Sequence, residues 1–266
     1  MVSDLGVGSV FEVALVRDGI GRELIAKRPR AALGSPGRAA HQRELELLRC
    51  AATPHLPALV GAGSDSLGPY LLEGRADGQL LRDLLPDPTR PPVDRRTWMT
   101  IALATSAALS QLHAASDADG SLAIVHGDIS PDNLLFDSAP RHATLIDLSS
   151  ATWRDGRAPV FDADRGTLPY AAPELARGEA VAEQASDTYA LAAVLLALAV
   201  GPICEATTAA SRLLEIGSRG VMHERLRTRA DLPVRARAAL VRALSFEPRA
   251  RLRTSAELAH EFLSET

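Results

Sequence analysis

The chain has 266 residues, 46% of them hydrophobic and 23% charged, which suits one large domain or two small lobes around a real core. A net charge of −4 excludes a chain-wide basic field for nucleic acid or membrane surfaces, and two cysteines, Cys50 and Cys204, exclude a disulfide framework and fit a reducing, cytoplasmic setting. The opening MVSDLGVGSV lacks the pattern of a signal peptide, and the longest apolar run, YALAAVLLALAV at 189–200, is too short to span a bilayer.

Residues 5–16, LGVGSVFEVALV, read as a glycine-bearing turn between short strands. ELIAKR, at 23–28, alternates as a strand with Leu24 and Ala26 on one face and Lys27 on the other. Lys27 is the only lysine in the chain; every other basic residue in the Lys-plus-Arg total is arginine. That bias, with abundant alanine, suggests a GC-rich bacterial genome. It also singles out Lys27, because an ammonium is a compact point charge and a guanidinium a broad planar fork. GSPGR, at 34–38, reads as a loop, and 39–52 has helical spacing ended by Pro54 and Pro57. PYLLEG, at 69–74, reads as a further strand.

Beyond about residue 76 the pattern becomes helical, with helices expected over 97–115, 187–200, 207–216, 233–245 and 254–263. The expected fold is α+β. A small β-rich lobe (1–76) precedes a larger helical lobe (77–266), with a cleft between them for a ligand.

Two stretches between the helices carry chemistry. VHGDISPDNLLF sets Asp128 and Asn133 five apart in a loop broken by Pro131, and LIDLSS ends an apolar strand at Asp147. Phosphoryl transfer needs one carboxylate to take or orient the nucleophile's proton. It needs another to hold a metal on the phosphates, and an amide oxygen can complete the shell of a hard cation such as magnesium. Asp128, Asp147 and Asn133 supply these groups, and Lys27 can neutralise phosphate charge.

With these residues in place the sequence resembles the protein kinase superfamily, specifically the bacterial Ser/Thr kinases of eukaryotic (Hanks) type. LGVGSVFEV is similar to the glycine-rich loop, LIAK to the lysine strand, HGDISPDN to the catalytic loop and IDLS to the metal-binding motif. GTLPYAAPE (166–174) is similar to the end of the activation segment, and EPRARLRTSAEL to the final arginine motif, with Arg251 set to pair with Glu174. The resemblance covers nearly the whole chain and implies a two-lobed kinase fold that uses ATP and Mg2+ on a protein substrate with a Ser or Thr acceptor. It implies Asp128 as catalytic base, Asn133 and Asp147 as magnesium ligands, and Lys27 on the α- and β-phosphates. Glu44, rather than its rival Glu46, would pair with Lys27, and Asp187 would hold the catalytic loop from below. Gly6, Val7, Gly8, Val13, Ala26, Glu73 and Leu135 would line the nucleotide site, with the hinge register around Glu73 left open. Neither nucleic acid nor membrane is an expected partner. Taken singly, each motif has a bland reading as a turn or a solvated face; their order and spacing along one chain reverse that.

The departures matter as much. Phe11 stands where the loop's third glycine would be, so a stiffer loop is expected. Gly127 replaces the arginine that reads an activation-segment phosphate, so activity independent of phosphorylation at Ser149, Ser150, Thr152 and Thr167 is expected. Ser130 replaces a second lysine that steadies the transferred group, and Ser149 replaces a glycine. Three readings follow: an active Ser/Thr protein kinase, a pseudokinase, and a small-molecule phosphotransferase. GTLPYAAPE and Arg251 favour the protein-substrate readings.

Overall fold

A computed structural model describes residues 3–51, 53–154, 168–178, 182–202 and 221–264. Its first half is an antiparallel sheet of five strands in the order β1-β2-β3-β5-β4, formed by β1 (Ser3–Val7), β2 (Phe11–Arg17), β3 (Glu23–Pro29), β4 (Leu59–Asp65) and β5 (Gly68–Gly74). The β2–β3 hairpin closes on Asp18, whose carboxylate accepts from the backbone N–H of Ile20 and Arg22, while Gly21 takes a left-handed φ of 85°.

Helix α1 (Gly34–Cys50) packs across this sheet and begins five residues earlier than its spacing suggested. GSPGR is its first turn rather than a loop. Proline is tolerated there because the first N–H groups of a helix have no partner within it. Gly37 is needed for packing, since a Cβ would lie 3.0 Å from the Leu33 Cβ. Strand β4 was not expected at all. Its two glycines and weak alternation hide it, but Gly63 lies under the Tyr70 ring, where a Cβ would come within 2.6 Å of Oη.

After β6 (Gln79–Leu80), the long helix α2 (Arg95–His113) starts at Asp94, which caps it by accepting from Thr97 N–H at 3.0 Å. The hairpin of β7 (Ser116–Asp117) and β8 (Gly120–Ser121) follows, then β9 (Leu134–Asp137) and β10 (His142–Leu145), which join β6 in a three-stranded sheet. Next come α3 (Pro173–Ala176), α4 (Gln184–Val200), α5 (Val221–Arg227), α6 (Val234–Ala243) and α7 (Ser255–Leu263). The helix expected over 207–216, Thr167 and Cys204 lie outside the described residues.

Helix α4 is apolar around its whole circumference and is buried from Ser186 to Ala199. The Trp98 indole donates to Leu195 O at 2.8 Å and locks α2 against it. No helix among the described residues is long and apolar enough to cross a membrane. The main apolar core surrounds α4 and reaches up to Leu47 on α1, while only Val10, Phe11 and Ala40 form a small separate cluster under the glycine turn. The protein therefore has a β-sheet lobe and a helical lobe, as expected, and α1 touches both.

Candidate active site

The sheet lobe contributes one buried cation. Lys27 lies on β3 opposite Val13 of β2, and α1 brings Glu44 to it, with Nζ 2.6 Å from Glu44 Oε1. Glu46 instead faces solvent and accepts from Gln42. A second carboxylate completes the group. In the β3–β5 register Ile25 opposes Glu73 and Lys27 opposes Leu71, so Glu73 shares the face of Lys27, and its Oε2 lies 3.1 Å from Nζ. Glu73 stands beside the ammonium, one residue before the end of β5. Lys27, Glu44 and Glu73 are all at most 5% exposed.

Burial alone would lower the lysine's pKa; the Glu44, Glu73 and Asp147 carboxylates outweigh it and hold the ammonium above its ordinary range. Burial pushes Glu44 up, to about 8, against the pull of Lys27, with Glu73 and Asp147 adding to the rise. Lys27 thus answers by direct contact to two buried carboxylates, Glu44 and Glu73, rather than to one.

The sheet also corrects one expectation. Ala26 pairs with Ala14 and Leu72 and so lies on the opposite face of β3 from Lys27. Strand alternation puts Ile25 on the lysine's face instead, a bulkier neighbour for a nucleotide base. In the glycine turn, Gly6 has φ 120°, which requires glycine, and Gly8 N–H bonds Phe11 O at 2.8 Å. Val7 beside them is exposed, and Leu135 of β9 is half-buried. Phe11 sits in a regular strand, so its backbone is unstrained, and its buried ring lies 5.8 Å from Lys27 Nζ.

The helical lobe supplies the opposing groups. Asp187, near the start of α4, accepts from His126 N–H at 2.7 Å, Gly127 N–H at 2.9 Å and the His113 ring at 2.9 Å. It thereby fixes the backbone just before Asp128. The Asn133 amide donates to both Asp128 O and Asp128 Oδ2 at 2.9 Å, aiming the half-buried carboxylate. Ile146 N–H bonds Asn133 O at 3.0 Å, which sets Asp147 beside Asn133. Asp147 takes a left-handed φ of 62°, and the next residue, Leu148, is buried with its N–H 3.3 Å from Glu44 Oε1. That bond connects the carboxylate-bearing strand end to the Lys27–Glu44 pair.

With its NH2 committed to Asp128, Asn133 has an amide oxygen with no donor among the described residues, and Asp147 offers carboxylate oxygens. These hard oxygen donors fit magnesium, which keeps several waters and takes few protein ligands. Among the described residues no cluster of three or more His, Cys, Asp or Glu side chains forms a dedicated metal cage.

Three features were invisible in the sequence. Gly127 has φ 79°, and a Cβ there would lie 2.6 Å from Ser150 O, so an arginine does not fit this backbone. Ser130 is fully buried, its hydroxyl without a partner among the described residues, so it offers nothing to a ligand. Arg43, adjacent to Glu44, donates to Ser149 O at 2.7 Å and ties α1 to the segment after Asp147. Further down, Arg251 makes the expected pair with Glu174 through two hydrogen bonds of 2.6 and 2.7 Å.

A sequence model of the protein kinase domain matches residues 1–263. Among curated proteins, the chain is 27% identical over 201 residues to the serine/threonine-protein kinase AfsK of Streptomyces coelicolor, a match covering 74% of this chain and 24% of that protein. It is 30% identical over 156 residues to the probable LRR receptor-like serine/threonine-protein kinase RPK1 of Arabidopsis thaliana, covering 58% and 28%. It is 26% identical over 207 residues to the serine/threonine-protein kinase grp of Drosophila melanogaster, covering 76% and 38%. The chain thus spans between 24% and 38% of the length of these relatives.

Proposed function

Because the chain belongs to the protein kinase family, we propose that it transfers the γ-phosphoryl group of ATP, with magnesium, to serine or threonine hydroxyls of a protein substrate. The observation that carries this reading is the joined constellation of Lys27 on Glu44, Glu44 on Leu148 N–H, and Asn133 on Asp128.

In this reading Asp128 accepts the proton of the substrate hydroxyl as its oxygen attacks the γ-phosphorus. The bond to the bridging oxygen breaks, and ADP leaves. Asn133 keeps Asp128 aimed, and Lys27 donates to phosphate oxygens. Magnesium, held by Asn133 and Asp147, would neutralise charge developing on the phosphates. Activity would not depend on a phosphate in the activation segment, because Gly127 leaves no side chain to read one. A cytoplasmic location and a bacterial source rest on the cysteine usage and on the arginine-for-lysine bias.

Glu73 favours a second reading, a nucleotide-binding module without transfer, because it draws Lys27 away from the phosphates. Transfer of labelled γ-phosphate to a generic basic protein, compared with Asp128→Asn and Lys27→Arg, separates the two. Label lost in both variants supports the kinase. Magnesium-dependent ATP binding without transfer in the wild type moves the assignment to the second reading.

A further inference from the structure

At the far end of α2 from the catalytic loop lies a cavity of about 610 Å3, within the range of ligand sites. Met99 and Leu103 of α2 and Phe262 of α7 give it apolar walls. Val234 and Leu263, next in sequence to lining residues, are 67% and 53% exposed. Arg95, Arg96 and Arg141 line it too, and none of their three guanidiniums makes a hydrogen bond or close ion pair among the described residues; Arg95 feels only a longer-range attraction to Asp231. The one acid in the lining, Asp94, is committed to Thr97 as the helix cap.

Several arginines elsewhere are paired closely, Arg28 with Asp65, Arg154 with Asp117, Arg242 with Glu261 and Arg251 with Glu174; what sets these three apart is that they share one apolar hollow. Three uncommitted guanidiniums around an apolar hollow, in a chain of net charge −4, call for an anionic occupant with an apolar anchor. The three arise from two elements, the start of α2 and the β9–β10 turn, and so present more donors than one carboxylate head can use. That favours a peptide carrying several acids over a fatty acid.

We propose that this cavity docks an acidic segment with a bulky apolar side chain in the protein substrate, so that the substrate is recognised away from the cleft. The substrate part rests on the kinase reading above. Its geometry sets a spacing. From Met99 to His113, α2 rises about 21 Å at 1.5 Å per residue. His113 abuts Asp187, which holds the catalytic loop. An extended chain at about 3.3 Å per residue therefore needs at least six or seven residues between anchor and acceptor hydroxyl.

The test separates docking from catalysis by using the Asp128→Asn protein. A fluorescein-labelled peptide of glutamates and aspartates around a central Phe-Leu pair is titrated and read by anisotropy. Binding should weaken at least tenfold with Arg95→Glu/Arg96→Glu, a pair that suits the negative preference of a helix N-terminus and so preserves folding. It should weaken likewise when the peptide's Phe-Leu is changed to Ser-Ser, and with rising salt. Equal binding to both proteins overturns the proposal, as does binding of laurate or of anionic phosphatidylglycerol vesicles at this site without binding of the peptide. In the active protein, placing an acceptor serine three, seven or twelve residues from the acidic block should raise transfer only at the two longer spacings. That gain should vanish in the double variant while transfer to a non-docking peptide is unchanged. No transfer to any peptide, with acidic-peptide binding intact, would count against the kinase reading and not against the docking site; transfer to the non-docking peptide without the spacing-dependent gain would overturn the docking of substrate.

Discussion

Glu73→Gln is predicted to tighten nucleotide binding. The wild-type carboxylate lies 3.1 Å from Lys27 Nζ and is 2% exposed, so water screens it poorly. A phosphate oxygen bonded to the same ammonium would sit about 2.9 Å from Nζ, and hence about 5 Å from the glutamate. At an effective dielectric of about 20, repulsion at that distance is about 3 kcal/mol per unit charge, and an open cleft reduces it to about half. Removing the charge while keeping the shape should therefore tighten ADP binding by about tenfold or more, since about 1.4 kcal/mol is one decade. The assay is calorimetric titration of ADP with EDTA and again with magnesium. The gain should be larger in EDTA, where no cation offsets the carboxylate. Unchanged or weaker ADP binding in EDTA, with an intact melting transition, would refute the charge argument and leave Glu73 as a mere support for Lys27.

Gly127→Ala should lower the melting temperature by several degrees, since its left-handed backbone costs about 1–3 kcal/mol for a residue with a Cβ, and the Ser150 carbonyl must move as well. Arg251→Met strands Glu174 as a buried charge at about 3–5 kcal/mol, which should appear as a melting shift of about 5–10 °C; a shift below about 3 °C would contradict the pairing. Burial would raise the Glu174 pKa, but hydrogen bonds and charge from Arg251 hold it below its ordinary 4.5. Its stabilisation is therefore complete above that value and is lost as pH falls through the lower native one, so wild type should lose more stability than Glu174→Gln on acidification below about pH 4.5. Arg43→Ala should speed amide exchange at 148–151 by about tenfold, because a charged hydrogen bond is worth about 1.5–3 kcal/mol; unchanged exchange would mean that Arg43 does not restrain that segment.

Sequence spacing located the residues of the cleft because each belongs to a short local pattern: the lysine strand, the loop from Asp128 to Asn133, the strand ending at Asp147. What it could not locate depends on pairing across distance. Glu73 was legible as a residue near the base but not as a second counter-ion, because that follows from the β3–β5 register. Ala26 was placed in the site by its motif, while the strand's period of two turns it away. The early start of α1 was masked by glycines and a proline, which suggest a loop until Leu33 and Pro29 are seen crowding Gly37. Strand β4 owes its existence to β5 more than to its own composition. The basic cavity joins residues near 95, 141 and 262, and no local pattern links them.

A chain with one lysine, 5% exposed, also has an unusual chemical surface. Within these residues no exposed side-chain amine is available for acetylation or for isopeptide attachment of a modifier protein. An amine-reactive reagent would find only Lys27 and whatever terminal amine the chain carries. Its rate of reaction at Lys27 would then report, residue-specifically and without engineering, how often the two glutamates let go of the ammonium.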